Sequence, residues 1–162
     1  MRDWSSRPFE ERNLFNPAFC AVVLVAAIRE YERVARKPMP YSLTLLVLPM
    51  CLHQASREEI LENKRLSVLR VFALRPDLLV NFAERARSLV QYATEAFALL
   101  ASKGCIKVGD DGCISLIPRR VSPQPLNTDD AERCRAAAIV LGRDFAQIND
   151  RVTVYTSLSI RP

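Results

Sequence analysis

The rhythm of apolar and polar positions changes several times along this chain, and each change marks an element. From Ala18 to Ile28 the residues are apolar on every side, and the run breaks only at Arg29. A surface helix shows one apolar stripe, so an unbroken run predicts a helix buried all round. Asn16-Pro17 writes its start: the Asn16 side chain can cap free amides, and Pro17 takes the first helical position, where no amide is needed. The helix is predicted from Pro17 to about Lys37. Its second half turns amphipathic, with Ile28, Tyr31 and Val34 against Arg29, Glu30, Glu32 and Arg33, and Pro38 stops it.

Further along, Leu43, Leu45, Leu46, Leu48 and Met50 suggest a short helix beginning at Pro40, although a strand would also suit their pattern. Ser56-Arg57-Glu58-Glu59 has the form of a capping box opening another helix. Residues 66–75 read as helical or irregular and end at Pro76. Asp77 then caps the clearest amphipathic helix, whose apolar face includes Leu78, Phe82, Leu89, Ala93, Phe97 and Leu100, and Gly104 closes it. Ile106, Val108, Ile114 and Leu116 alternate around Gly109-Asp110-Asp111-Gly112, which predicts a hairpin. A fold at Asp110-Asp111 would set Val108 opposite Cys113 and Cys105 opposite Leu116. After a proline-rich connector, Thr128 or Asp129 caps a last helix using Cys134, Ala138, Leu141, Phe145 and Ile148. Val152 to Leu158 alternates like a strand.

These elements predict an α+β, mainly helical fold: a winged helix-turn-helix-like domain with a β-hairpin wing, an added C-terminal helix and a terminal strand. The expected organisation is an N-terminal arm at 1–13, a helical core at 14–118 with its wing at 105–117, a connector at 119–128, and a C-terminal helix and strand at 129–162. An architecture of this kind serves many functions.

Composition narrows the choice. With 162 residues, 49% of them hydrophobic, the chain can bury a real core as one domain. Its longest apolar run falls well short of the roughly 20 residues needed to span a bilayer, and Arg2, Asp3, Arg7, Glu10, Glu11 and Arg12 do not resemble a signal peptide. A cytoplasmic protein with no membrane partner is expected. Five cysteines without a CxxC are expected to be reduced thiols, Cys20, Cys51 and Cys134 packing as small hydrophobes. The net charge of +5 is spread thinly: seven basic against five acidic residues in 1–55, eight against six in 56–103, three against two in 104–128, and five against five in 129–162. A dedicated duplex-binding module concentrates its cations on one face.

Reactive chemistry is hard to draw from these residues. Four glycines form no phosphate-cradling loop. The single histidine, His53, follows Cys51 with one residue between, and Cys-x-His without a second pair is a poor zinc site. Glu58-Glu59 and Asp110-Asp111 are explained by a helix start and a turn. No catalytic residue, metal ligand or cofactor is expected. Lys107, Arg119 and Arg120 form the best positive cluster; they read either as solvated charges flanking a hairpin or as a contact to nucleic-acid phosphate or an acidic partner.

Three stretches carry a family resemblance: Trp4 with Arg7-Pro8 and Asn13-Leu14-Phe15-Asn16-Pro17-Ala18-Phe19; Pro40 with Leu43, Leu48-Pro49, Leu52-His53 and Arg57; and Leu141-Gly142-Arg143 with Val154-Tyr155, Leu158 and Arg161-Pro162. Together they resemble the middle component of bacterial three-component ABC-ATPase conflict systems. The small subunit of the Lamassu antiphage system looks like a close relative. The family pattern has glycine where this chain has Ser159. The resemblance implies a non-catalytic accessory subunit joining a large ABC ATPase of the SMC/Rad50 type to an effector, a nuclease among the possible kinds, with DNA met only inside the complex.

For such a subunit the expected partner-binding residues are Trp4, Phe9, Tyr155 and Arg161, because aromatic anchors are enriched at interfaces and a terminal strand could extend a partner's sheet. Trp4 and Tyr155 could equally pack on their own domain. The alternative function is a stand-alone winged-helix DNA-binding regulator. Against it, residues 41–52 carry no cation with which to read bases.

Overall fold

The computed structural model describes residues 8, 15–122 and 125–160. Helix α1 (Pro17–Ala35) lies at its centre. Asn16 Oδ1 accepts the Ala18 amide at 2.8 Å, and at the far end Arg36 takes a left-handed φ of 58° and returns its amide to the Glu32 carbonyl. Val23, Leu24, Ala27 and Ile28 are wholly buried on one side, and Ala21, Val25 and Ala26 are almost as buried on the others. Burial all round is what the unbroken apolar run predicts. Each large side chain so buried contributes roughly 1.5–3 kcal/mol.

A string of short elements follows: β1 (Met39–Pro40), α2 (Tyr41–Thr44), α3 (Val47–Cys51), α4 (Gln54–Glu62) and α5 (Val68–Leu74). The expected helix over 40–50 is therefore two helices with a break at Leu45–Leu46. Pro49 falls in the first turn of α3, where its missing amide costs nothing. The capping-box reading of Ser56 is corrected, because α4 starts three residues earlier than that cap implies and His53 is its cap. His53 Nδ1 accepts the Ser56 amide at 3.3 Å and lies 2.8 Å from the Ser56 hydroxyl. Asp77 caps no long helix either. It sits in a 3-10 turn (Pro76–Leu79) paired with Arg75, and α6 (Phe82–Ser102) begins only after Asn81 reverses the chain at φ 56°.

Gly104, at φ 60°, closes α6 with two reversed bonds, its own amide to Ala101 and the Cys105 amide to Leu100. The hairpin follows as β2 (Ile106–Val108) and β3 (Cys113–Leu116), but one residue out of the expected register: Val108 faces Ile114 and Ile106 faces Leu116. The cause is the turn. The Gly112 amide bonds to Gly109, and Gly112 itself takes φ 71°, so a three-residue loop with a bulge replaces the two-residue one. β1 pairs with the other edge of β3, giving the antiparallel order β1-β3-β2. Beyond the reach of β1, the Leu116 amide donates to the Glu32 carboxylate at 3.2 Å.

Helix α7 (Asp129–Ile148), capped by Thr128, lies along α1 and is part of the core, not an addition to it. The expected terminal strand is corrected: residues 151–157 form helix α8 (Arg151–Ser157). Asp150 accepts the Val152 and Thr153 amides, and burial falls on Val154, Tyr155 and Leu158, a helical spacing, while Val152 and Thr156 stay outside. The alternation of branched residues misleads here because a short helix with a strong cap uses a different set of them.

Candidate interaction surfaces

Much of the chain's polar chemistry is spent on holding it together. Arg57 on α4 is buried and donates to the Cys51 carbonyl at 2.9 Å, to Cys134 Sγ at 3.4 Å and to the Asp130 carboxylate at the start of α7. Its Nε has no partner. Asp144 on α7 is buried as well; its carboxylate accepts the Val68 amide at 2.8 Å and the Arg143 side chain at 3.0 and 3.1 Å. Arg143 in turn donates to the Lys64 carbonyl. Burial pushes the Asp144 carboxyl up, and Arg143 offsets part of that.

The thiols are free, and all but Cys113 are buried. Burial pushes Cys20 up to about 12 and also raises Cys51 and Cys134, which leaves little thiolate for nucleophilic or redox chemistry. Among the described residues no group of three or more His, Cys, Asp or Glu is arranged to hold a metal ion. No helix among them is long and apolar enough to cross a membrane. His53 is held below its ordinary value of 6.5 by burial and then by the charges of Arg85 and Arg57. A neutral ring keeps Nδ1 available as the acceptor that caps α4.

The expected partner-binding residues fare differently from one another. Trp4, Phe9 and Arg161 lie outside the described residues. Tyr155 is no exposed anchor: only 6% of its surface is accessible, and its hydroxyl donates to the Ser42 carbonyl at 2.7 Å, tying α8 to α2. With α8 a helix, the expected unpaired terminal strand that could extend a partner's sheet is also absent.

The residues of the expected positive cluster are all exposed around the hairpin. Lys107 is exposed on edge strand β2, and Arg119, at φ 64°, and Arg120 are exposed just after β3. The structure adds two cations that spacing along the chain did not reveal. Cys105 Sγ approaches the Lys103 carbonyl at 3.7 Å and the Arg120 carbonyl at 3.9 Å, which brings the end of α6 beside the end of the hairpin. Arg29 of α1 donates to the Val121 carbonyl at 2.7 Å. The one signal for Arg29 was that it interrupts the long apolar run. None of the five is ion-paired with a described carboxylate.

A second surface is apolar: a groove of about 220 Å³ between Leu45, Leu46, Val90, Tyr155 and Ile160, with Arg87 at its edge.

A family model described as ABC-three component (ABC-3C) system Middle Component 3 matches residues 4–162. No curated protein and no solved structure matches the chain. Several of the residues that carried the resemblance now have structural work. Phe15 stacks on Tyr92, Asn16 and Pro17 start α1, Arg57 ties α4 to α7, Gly142 lies against Ala27, and Arg143 holds Asp144 and Lys64.

Proposed function

We infer the function of this chain from its family: it belongs to the Middle Component 3 family of ABC-three component (ABC-3C) systems. A middle component partners with the other components of its system. Its role, in our reading, is that of a non-catalytic accessory subunit that joins an SMC-like ABC ATPase to an effector in a bacterial antiphage or anti-plasmid defence complex, akin to the small subunit of Lamassu. The observation that carries this reading is the family match across nearly the whole chain. A supporting one is the use of the buried polar groups, Arg57, Asp144 and Tyr155 among them, as internal ties.

A stand-alone winged-helix DNA-binding regulator is the second reading. One observation favours it: a helix, a short strand, several helices and a hairpin, with the first strand on the outer edge of β3, follow one another in winged-helix order. Against it, α2 and α3 carry no cation, and on α6, the helix before the hairpin, Arg85 is tied to the Pro49 and Leu78 carbonyls and Glu84 and Glu95 offset the positive charge. The test is fluorescence anisotropy of the purified chain with duplex DNA at physiological salt. Weak binding without sequence preference agrees with the accessory subunit. Nanomolar, sequence-selective binding would favour the regulator.

A further inference from the structure

The all-round apolar helix α1 is not covered equally on every side. Where α6 and α7 pack on it, Val23, Leu24, Ala27 and Ile28 are inaccessible. On the side facing the chain beyond the hairpin, Val22, Val25 and Ala26 form with Val121 and Leu126 the floor of a groove of about 120 Å³. That is close to the roughly 150 Å³ of a cavity that takes up benzene, so there is room for one aliphatic side chain. Arg29 and Arg135 stand at its rim. Arg119 and Arg120 directly precede Val121, and Cys105 Sγ lies near the Lys103 and Arg120 carbonyls. Nearby carboxylates are already engaged: Glu30 by Arg33, Glu32 by the Leu116 amide, and Glu132 by Arg135 and the Leu126 amide. Asp110 and Asp111 sit at the tip of the hairpin.

We propose that this groove and its cationic rim form a docking site for an acidic protein segment carrying one aliphatic anchor, supplied by another component of the system. The anchor enters between Val22, Val25 and Val121, and its flanking carboxylates face Arg29, Arg119 and Arg120. Charge complementarity selects an acidic segment, since Arg29 and Arg135 stand at the rim and the exposed Arg119 and Arg120 directly precede Val121 in the chain. The apolar floor selects protein over nucleic acid, because a phosphate backbone offers nothing to fill it. A buried anchor supplies affinity, while the rim charges steer encounter and set the salt dependence.

The proposal rests on the connector reading, and the test separates the two. The full chain is co-expressed with the ATPase and effector components, and the dissociation of the complex is measured for the natural chain, Arg29→Glu/Arg120→Glu, Val121→Asp and, as a charge-reversal control away from the groove, Arg70→Glu. Thermal melts check that each variant folds. The expected result is a loss of about tenfold or more in affinity for Arg29→Glu/Arg120→Glu and for Val121→Asp, with Arg70→Glu unchanged. Ser122→p-benzoylphenylalanine, at an exposed position beside the groove, should photocross-link to an acidic, aliphatic-containing peptide of another component. A natural chain that assembles while both groove variants bind as tightly overturns the docking site and leaves the connector reading standing. Failure of the natural chain to assemble overturns both. Cross-links to nucleic acid, or only to residues 123–124 of the chain itself, overturn the proposed occupant.

Discussion

Gly142 of α7 meets the carbonyl of Ala27 of α1 so closely that a Cβ built on the glycine would stand 2.2 Å from the Ala27 oxygen. No side-chain carbon fits there, and the obstacle is backbone on a buried helix. Gly142→Ala therefore has to push the two central helices apart, costing about 3 kcal/mol. A denaturant titration should show this as a lowered midpoint. An unchanged midpoint would mean that α1 and α7 do not meet at this point.

Ser159 ends α8 at φ 57°, with its own amide bonded to Thr156 and the Ile160 amide bonded to Tyr155. This is the geometry that glycine favours at a helix end. Ser159→Gly is expected to stabilise the fold by about 0.5–1 kcal/mol, a rise of about 2 °C in melting temperature for a chain of this size. A fall would show that the serine side chain makes a contact worth more than the relief of φ.

Arg57 is a charge within the core, its side chain 5% exposed, whereas its carboxylate partner Asp130 is 66% exposed. The pair is therefore unequal. Asp130→Ala removes a mostly solvated group and should cost under about 1 kcal/mol. Arg57→Ala leaves a cavity and takes the stronger of two donors from the Cys51 carbonyl, leaving it the Cys134 thiol, for about 3 kcal/mol. Arg57→Met keeps most of the volume and removes the unpartnered Nε, so it should cost less than Arg57→Ala. Equal losses for Asp130→Ala and Arg57→Ala in chemical denaturation would show that the ion pair, and not the packing, matters.

His53 adds a pH dependence of definite sign. Its folded-state value lies below the ordinary 6.5, so the folded state binds the proton less readily than the unfolded chain. The stability it contributes is complete above 6.5 and is lost as pH falls through the depressed value. Protonation also takes away the Nδ1 acceptor that caps α4. Melts at about pH 7.5 and about pH 5.5 should show a drop for the natural chain that is smaller in His53→Asn, which caps without titrating in this range. An identical drop in both would assign the effect to other groups.

The legibility of the sequence followed the range of the forces involved. Asn16-Pro17, the apolar run after it, Gly104 and the alternation around Gly109–Gly112 all act through neighbours a few residues apart, and α1, the end of α6 and the hairpin stand where they predict. Local readings failed where caps competed or a turn held an extra residue: His53 displaced Ser56, Asp77 entered a 3-10 turn instead of capping α6, Asp150 turned a strand pattern into α8, and the bulge at Gly112 moved the hairpin register by one. The cationic site was half legible. Lys107, Arg119 and Arg120 are close in sequence, but Arg29 joins them only because α1 runs past the chain after the hairpin, a contact across 92 residues. Tyr155 was misjudged for the same reason, since its partner Ser42 lies 113 residues away.

The most direct test of the connector reading is whether an effector stays on its ATPase without this chain. The ATPase and effector components of the same system would be co-expressed with and without it, and each mixture resolved by size-exclusion chromatography. The account predicts that effector and ATPase elute together only when the chain is present, and that all three share one peak. Co-elution of effector and ATPase in its absence, or elution of this chain alone beside an intact pair, would contradict it.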